Sequence, residues 1–126
     1  MGKGLLIFWA SVVVLLVLGV GASFFIKEQP GKLDAFAQCL KDSGVTFYGA
    51  FWCPHCQATK RMFGNSAKLL PYVECSTPDG KGQTQICIDK GVKSYPTWTF
   101  PSATTTLTGE RTLQELSHMS GCPLPQ

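Results

Sequence analysis

Val45-Thr46-Phe47-Tyr48-Gly49-Ala50-Phe51-Trp52-Cys53-Pro54-His55-Cys56 is the stretch on which the fold turns. Residues 45–52 are almost wholly apolar, which predicts a central strand covered on both faces. Residues 57–70 follow as a predicted helix, with Met62, Phe63 and Leu69 available to a core and Pro71 as the stop. Cys53 therefore stands where a strand gives way to a helix. Two cysteines separated by two residues close a small disulfide ring or open to a dithiol, and this junction suits a redox dithiol. The start of a helix presents backbone N–H groups and the positive end of the macrodipole, which favour a thiolate, and the thiolate is the attacking species. His55 adds positive charge or a hydrogen bond. Pro54 lacks an N–H at a position where that donor is unpaired anyway. Cys56, one turn further in, is expected to be the more buried. Cys53 is accordingly assigned as the attacking sulfur and Cys56 as the resolving one.

Composition narrows the class. The chain has 126 residues, a net charge of only +3 and six cysteines. Its basic residues are scattered, so no nucleic-acid surface is expected. Six cysteines in a soluble part of about 100 residues point to an oxidising compartment, where small domains rely on disulfides. Six cysteines allow 15 pairings, and one fixed pair leaves three.

The N-terminus is of another kind. Residues 4–26 carry no charge, and 23 residues as a helix span roughly 34 Å, enough for a bilayer core. Trp9 near one end and Phe24-Phe25 near the other suit the interfaces. A cleaved signal peptide is the competing reading, with Val20-Gly21-Ala22 as the small-residue site. The apolar run is longer than a signal core of about 7–15 residues, and Lys3 alone forms the positive flank. Residues 1–27 are therefore expected to be a membrane anchor, 28–32 a linker and 33–126 the folded domain. Lys3 on one side against Lys27 and Lys32 on the other leaves charge bias undecided. Cysteine usage places the domain in a periplasm or a thylakoid-type lumen.

The rest of the chain alternates helix and strand. Leu33, Phe36, Ala37 and Leu40 keep helical spacing, with Gly44 in the C′ role. Residues 72–75 form a second strand, Thr77-Pro78-Asp79-Gly80 a turn and residues 83–90 a short helix. Residues 97–100 and 104–108 form a hairpin through Pro101-Ser102. Thr112 and Glu115 make a capping box for a last helix that runs to about Ser120. The order predicts an α/β domain with a mixed central sheet and helices on both faces. With the CxxC at the first strand–helix junction, this order resembles the thioredoxin fold.

Rival uses of the two cysteines are weaker. A CxxC can be half of a zinc site, but no second CxxC exists and His118 is far along the chain, so no metal or cofactor is expected. A purely structural disulfide has no need of Pro-His between the sulfurs.

Tyr48-Gly49-Ala50-Phe51-Trp52-Cys53-Pro54-His55-Cys56, with Cys75, Cys87 and Tyr95-Pro96-Thr97-Trp98, resembles the thioredoxin-like domain attached to bacterial and plant vitamin K epoxide reductase homologues. Residues 33–122 carry the resemblance. Cys-Pro-His-Cys is also similar to the motif of periplasmic disulfide oxidases. The resemblance implies oxidation of substrate proteins and reoxidation by a vitamin K epoxide reductase-like membrane partner. It implies that Pro96 is the cis-proline beside the CxxC, with Trp52 and Tyr95 as substrate contacts. It also suggests structural pairs Cys75–Cys87 and Cys39–Cys122. By position, the first pair would staple the turn after the second strand and the second would tie the domain's ends; relay of electrons by one of them is the alternative. Two departures from thioredoxin itself stand out. Phe47 occupies the place of a buried carboxylate, and Arg61 that of a helix-kinking proline. Both weigh against a general reductase. Two rivals to the oxidase stay open: a reductase or isomerase for extracytoplasmic protein or cytochrome assembly, and a non-catalytic metal-delivery or assembly module.

Overall fold

The computed structural model describes residues 2–25 and 29–126. Expectations that rest on Ile26, Lys27 and Glu28 lie outside these. Helix α1, Lys3–Phe25, is apolar all round. Its segment Lys3–Ser23 has a mean hydropathy of 2.7 and none of it is buried, so it is long and apolar enough to cross a membrane.

Helix α2, Asp34–Asp42, buries Phe36, Ala37 and Leu40. Its end follows from Gly44, whose φ of +74° is open to glycine at little cost. The Gly44 N–H reaches Lys41 O and the Val45 N–H reaches Leu40 O, each at 3.1 Å, which satisfies two carbonyls of the last turn.

Among the described residues, four strands form one sheet in the order β2-β1-β3-β4: β1 is Thr46–Gly49, β2 Tyr72–Glu74, β3 Thr97–Phe100 and β4 Thr105–Thr108. Strand β1 runs parallel to β2 and antiparallel to β3, and β3 pairs antiparallel with β4. The pleat of β1 divides the core. Phe47 lies in the larger cluster with Phe36, Leu40, Phe63, Trp98 and Leu116. Its ring stacks on Trp98 with centroids 4.4 Å apart. Tyr48 points the other way, among Cys75, Cys87 and Val92. Helices α2, α3 (Pro54–Phe63) and α5 (Leu113–Ser120) thus serve one face, and the short α4 (Gln85–Asp89) serves the other. This mixed sheet with helices on both faces is the α/β architecture expected of the thioredoxin fold.

Several boundaries move from their sequence expectation. The first strand stops at Gly49, and residues 50–53 form a turn closed by the Cys53 N–H on Ala50 O at 3.0 Å. The ladder stops because the Phe51 N–H turns to the Glu74 carboxylate. The helix expected over 57–70 begins at Pro54, ends at Phe63 and passes into a 3-10 segment, Gly64–Leu69. Gly64, at φ +54°, and Asn65 and Ser66 are poor helix formers. The break gives the buried Ser66 hydroxyl a partner, the Leu33 N–H at 3.0 Å. Met62, expected in the core, is instead on the surface. The hairpin turns through a 3-10 segment, Pro101–Ala103. The capping box is present: the Glu115 N–H meets Thr112 Oγ1 at 3.1 Å, and Glu115 Oε2 accepts the Thr112 N–H at 2.7 Å.

Two disulfides close, Cys39–Cys122 and Cys75–Cys87. The first joins residues 83 apart and the second residues 12 apart. Chain entropy then predicts that replacing Cys39 and Cys122 by alanine costs about 4–5 kcal/mol, and replacing Cys75 and Cys87 about 3 kcal/mol. Denaturant unfolding of the two double variants checks the order; equal losses would refute it.

Candidate active site

Three segments meet at the start of α3. The first is the turn after β1. Cys53 is the N-cap of α3, with extended φ and ψ of −75° and 119°, and Pro54 opens the helix. The second is the loop before β3. Its Tyr95–Pro96 peptide bond is cis, and the Cys53 thiol points to Tyr95 O at 3.7 Å. The third is the end of β2, which brings Glu74 and Ser76 beneath the turn.

Glu74 organises the loop that carries Phe51 and Trp52. Its Oε1 accepts the Phe51 N–H at 3.2 Å and the Ser76 N–H at 2.8 Å. Its Oε2 accepts the Tyr72 hydroxyl at 2.8 Å. Ser76 Oγ in turn accepts the Trp52 indole N–H at 2.8 Å. The Trp52 ring meets Tyr95 edge to face, with centroids 5.9 Å apart. Gln83 Nε2 holds Tyr95 from behind, donating to its hydroxyl and to Val92 O at 2.8 Å each. Polar bonds thus fix Trp52 and Tyr95 while about half of Trp52 stays open to solvent.

Cys53 and Cys56 are free thiols. Cys56 is the more buried, but only just, at 1% exposed against 5%. Close packing of α3 on β1 explains the burial. A Cβ on Gly49 would stand 2.9 Å from Cys56 Sγ and 2.7 Å from the Tyr72 ring, closer than such atoms approach. Burial pushes the Cys56 thiol up to about 12, and its neighbour Cys53 adds to this. The Ala50 backbone and the charge of Lys60 pull the other way. Lys60, one helical turn beyond Cys56, sits 3.4 Å from the centroid of the Tyr72 ring. Burial, with Glu74 beside it, also raises the Tyr72 phenol well above its ordinary value.

His55 points outward. Its Nδ1 lies 2.6 Å from Glu110 Oε1, and both side chains are largely exposed. Pro96 is fully buried. Cys39, Cys75, Cys87 and Cys122 pair among themselves and leave the CxxC alone.

No protein-family model matches the chain. It is similar to the thiol-disulfide oxidoreductase LTO1 of Arabidopsis thaliana. The identity is 45% over 97 residues, which is 73% of this chain and 25% of the relative. The chain therefore spans about a quarter of that protein's length. The shared sequence and the free CxxC support a place among thiol–disulfide oxidoreductases.

Glu74, Ser76, Gln83, Lys60 and Glu110 were not anticipated from the sequence. A signal for Glu74 was available. It ends a strand parallel to the one that leads to Cys53, and the carboxyl ends of neighbouring parallel strands converge on one site. Nothing local marks Glu110, which reaches His55 only through the return of the chain after β4.

Two outcomes are expected. Gly49→Ala displaces Cys56 or Tyr72 and slows closure of the Cys53–Cys56 disulfide at least about tenfold, followed by thiol trapping; an unchanged rate would show the contact to be slack. In Cys53→Ser, Cys56 resists iodoacetamide at pH 8, because its burial disfavours the thiolate there and that form gains ground only as pH rises through the raised value. Rapid alkylation at pH 8 would contradict this.

Proposed function

We propose that this chain is a membrane-tethered thiol–disulfide oxidoreductase. It exchanges disulfides with substrate proteins through Cys53 and Cys56 and works as an oxidase. The observation that carries the reading is the Cys53 thiol itself. It sits at the N-cap position of a helix, faces the carbonyl of a cis-proline loop and stays out of any disulfide while the other four cysteines are bonded. The name of the Arabidopsis relative supports the activity.

In the oxidising direction, a substrate thiolate attacks Cys53 Sγ of the closed Cys53–Cys56 bond. The bond breaks, and Cys56 leaves with the electron pair and takes up a proton, the state its burial favours. A second substrate thiolate then attacks the substrate sulfur joined to Cys53. A substrate disulfide forms and Cys53 leaves as a thiolate at the positive end of α3. Two substrate thiols are oxidised and one protein disulfide is reduced. Pro54 and His55 set the surroundings of the leaving sulfur. Trp52, Tyr95 and Pro96 receive the substrate chain, Trp52 through its exposed half and Tyr95 and Pro96 through the backbone beside the sulfur.

Reoxidation falls to a vitamin K epoxide reductase-like membrane partner, a role that rests on the resemblance of the CxxC and cis-proline segments. Residues 1–27 act as anchor, 28–32 as linker and 33–126 as the working domain, exposed to a periplasm or a thylakoid-type lumen. The length and apolarity of α1 and the two closed disulfides support this placement. Reductase or isomerase work is the second reading, favoured by the Glu110 carboxylate on His55, a negative charge near the thiolate.

The test is disulfide transfer from the oxidised protein to a reduced peptide, together with equilibration of Cys53–Cys56 against glutathione. An oxidase transfers its disulfide, loses this in Cys53→Ser, and has a potential above about −200 mV. A potential near about −270 mV makes the protein a reductant instead. Absence of any reversible Cys53–Cys56 bond overturns the redox reading altogether.

A further inference from the structure

The geometry points to Glu110 as a positioning residue that, through its contact with His55, holds the Cys53–Cys56 pair less oxidising than its Cys-Pro-His-Cys sequence alone would make it. The inference rests on the redox reading of that pair and deepens it.

Glu110 arrives from a different part of the chain. It follows β4, 55 residues beyond His55. Its place is fixed from the substrate loop, because the N–H of the preceding Gly109 donates to Pro96 O at 2.8 Å. Gly109 takes a φ of +91°, which favours glycine there. The carboxylate then meets His55 Nδ1 at 2.6 Å. His55 is two residues from Cys53, in the first turn of α3. The neighbouring cation Arg111 is engaged elsewhere, by Thr108 O at 2.7 Å and Glu115 Oε1 at 3.6 Å.

The sign of the effect does not depend on the imidazole proton. With His55 protonated, Glu110 cancels a charge that would stabilise the Cys53 thiolate. With His55 neutral, Glu110 accepts its N–H and leaves a net negative charge near the sulfur. In both cases, removing the carboxylate makes the surroundings of Cys53 more positive by up to one charge. A favoured thiolate stabilises the reduced form, so the disulfide becomes a stronger oxidant. Glu110 also ties the start of α3 to the segment that supports Pro96.

The reaction that reads this is complete with glutathione. Two glutathione thiols reduce the Cys53–Cys56 bond to two thiols and become one glutathione disulfide. Two electrons pass to the protein sulfurs, and any proton lost from Cys53 goes to solvent.

The experiment measures this equilibrium for the full chain in detergent, in wild type, Glu110→Gln, His55→Ala and the double variant. Glu110 is exposed, so the glutamine variant is expected to fold, and the unfolding midpoint of each variant is recorded alongside. Glu110→Gln should raise the equilibrium constant for reduction about threefold, the scale of an exposed charge contact. The rise should shrink at high salt and should be smaller when His55 is already alanine, because the carboxylate is then no longer held at the start of α3. An unchanged constant in Glu110→Gln overturns the inference, as does an equal rise with or without His55. Failure of wild type to form the Cys53–Cys56 bond reversibly refutes the redox reading instead, so the two failures are told apart.

Discussion

The redox end of this molecule depends on how closely α3 rests on β1. At Gly49 there is no room for a single added carbon between the backbone and Cys56 Sγ. That contact buries the inner sulfur and seats the first turn of α3 on β1. The hydrogen bond from the Cys75 N–H to Gly49 O, at 2.7 Å, locks the same point from the β2 side. One residue without a side chain thus joins the sheet, the helix and the structural disulfide at Cys75.

Charge is arranged around that contact in two layers. Below the sulfurs lie Lys60, Tyr72 and Glu74, partly shielded from water. The ammonium rests on the ring, the phenol donates to the carboxylate, and the carboxylate holds the backbone of Phe51 and Ser76. This group stands where Phe47, stacked on Trp98, leaves no carboxylate inside the core. Above the sulfurs, in water, lies the pair of His55 and Glu110. The inner layer is bonded into shape, so it sets geometry. The outer layer is solvated, so it tunes weakly and responds to salt.

Much of the fold was legible because it is written in local pattern. The helical spacing of Phe36, Ala37 and Leu40, the glycine after Ser43 and the Thr112–Glu115 box each act within one or two turns of chain, and each appears in the structure. The strand and helix flanking Cys53 were legible as types but not in extent. Apolar character runs through Phe51 and Trp52, yet the strand stops at Gly49 because a side chain 23 residues away takes the next N–H. Periodicity carried the α3 helix too far for a similar reason. Ser66 is needed by Leu33, and that demand is invisible in a window around residue 64. At the site, the CxxC announced itself by residue type, whereas Tyr95-Pro96 was legible only through the resemblance to the thioredoxin fold. Glu74, Gln83 and Glu110 are ordinary polar residues whose importance comes only from where the sheet brings them.

The 12-residue separation closed by Cys75–Cys87 contains Ser76 and Gln83, the two side chains that hold Trp52 and Tyr95 in place. The bench on which a client chain would rest is itself built on a staple of the same chemistry. The order of that surface is therefore coupled through Ser76 and Gln83 to the segment that the Cys75–Cys87 bond closes. One sulfur–sulfur bond that takes no part in exchange thus lies beneath the side chains that frame the pair which does.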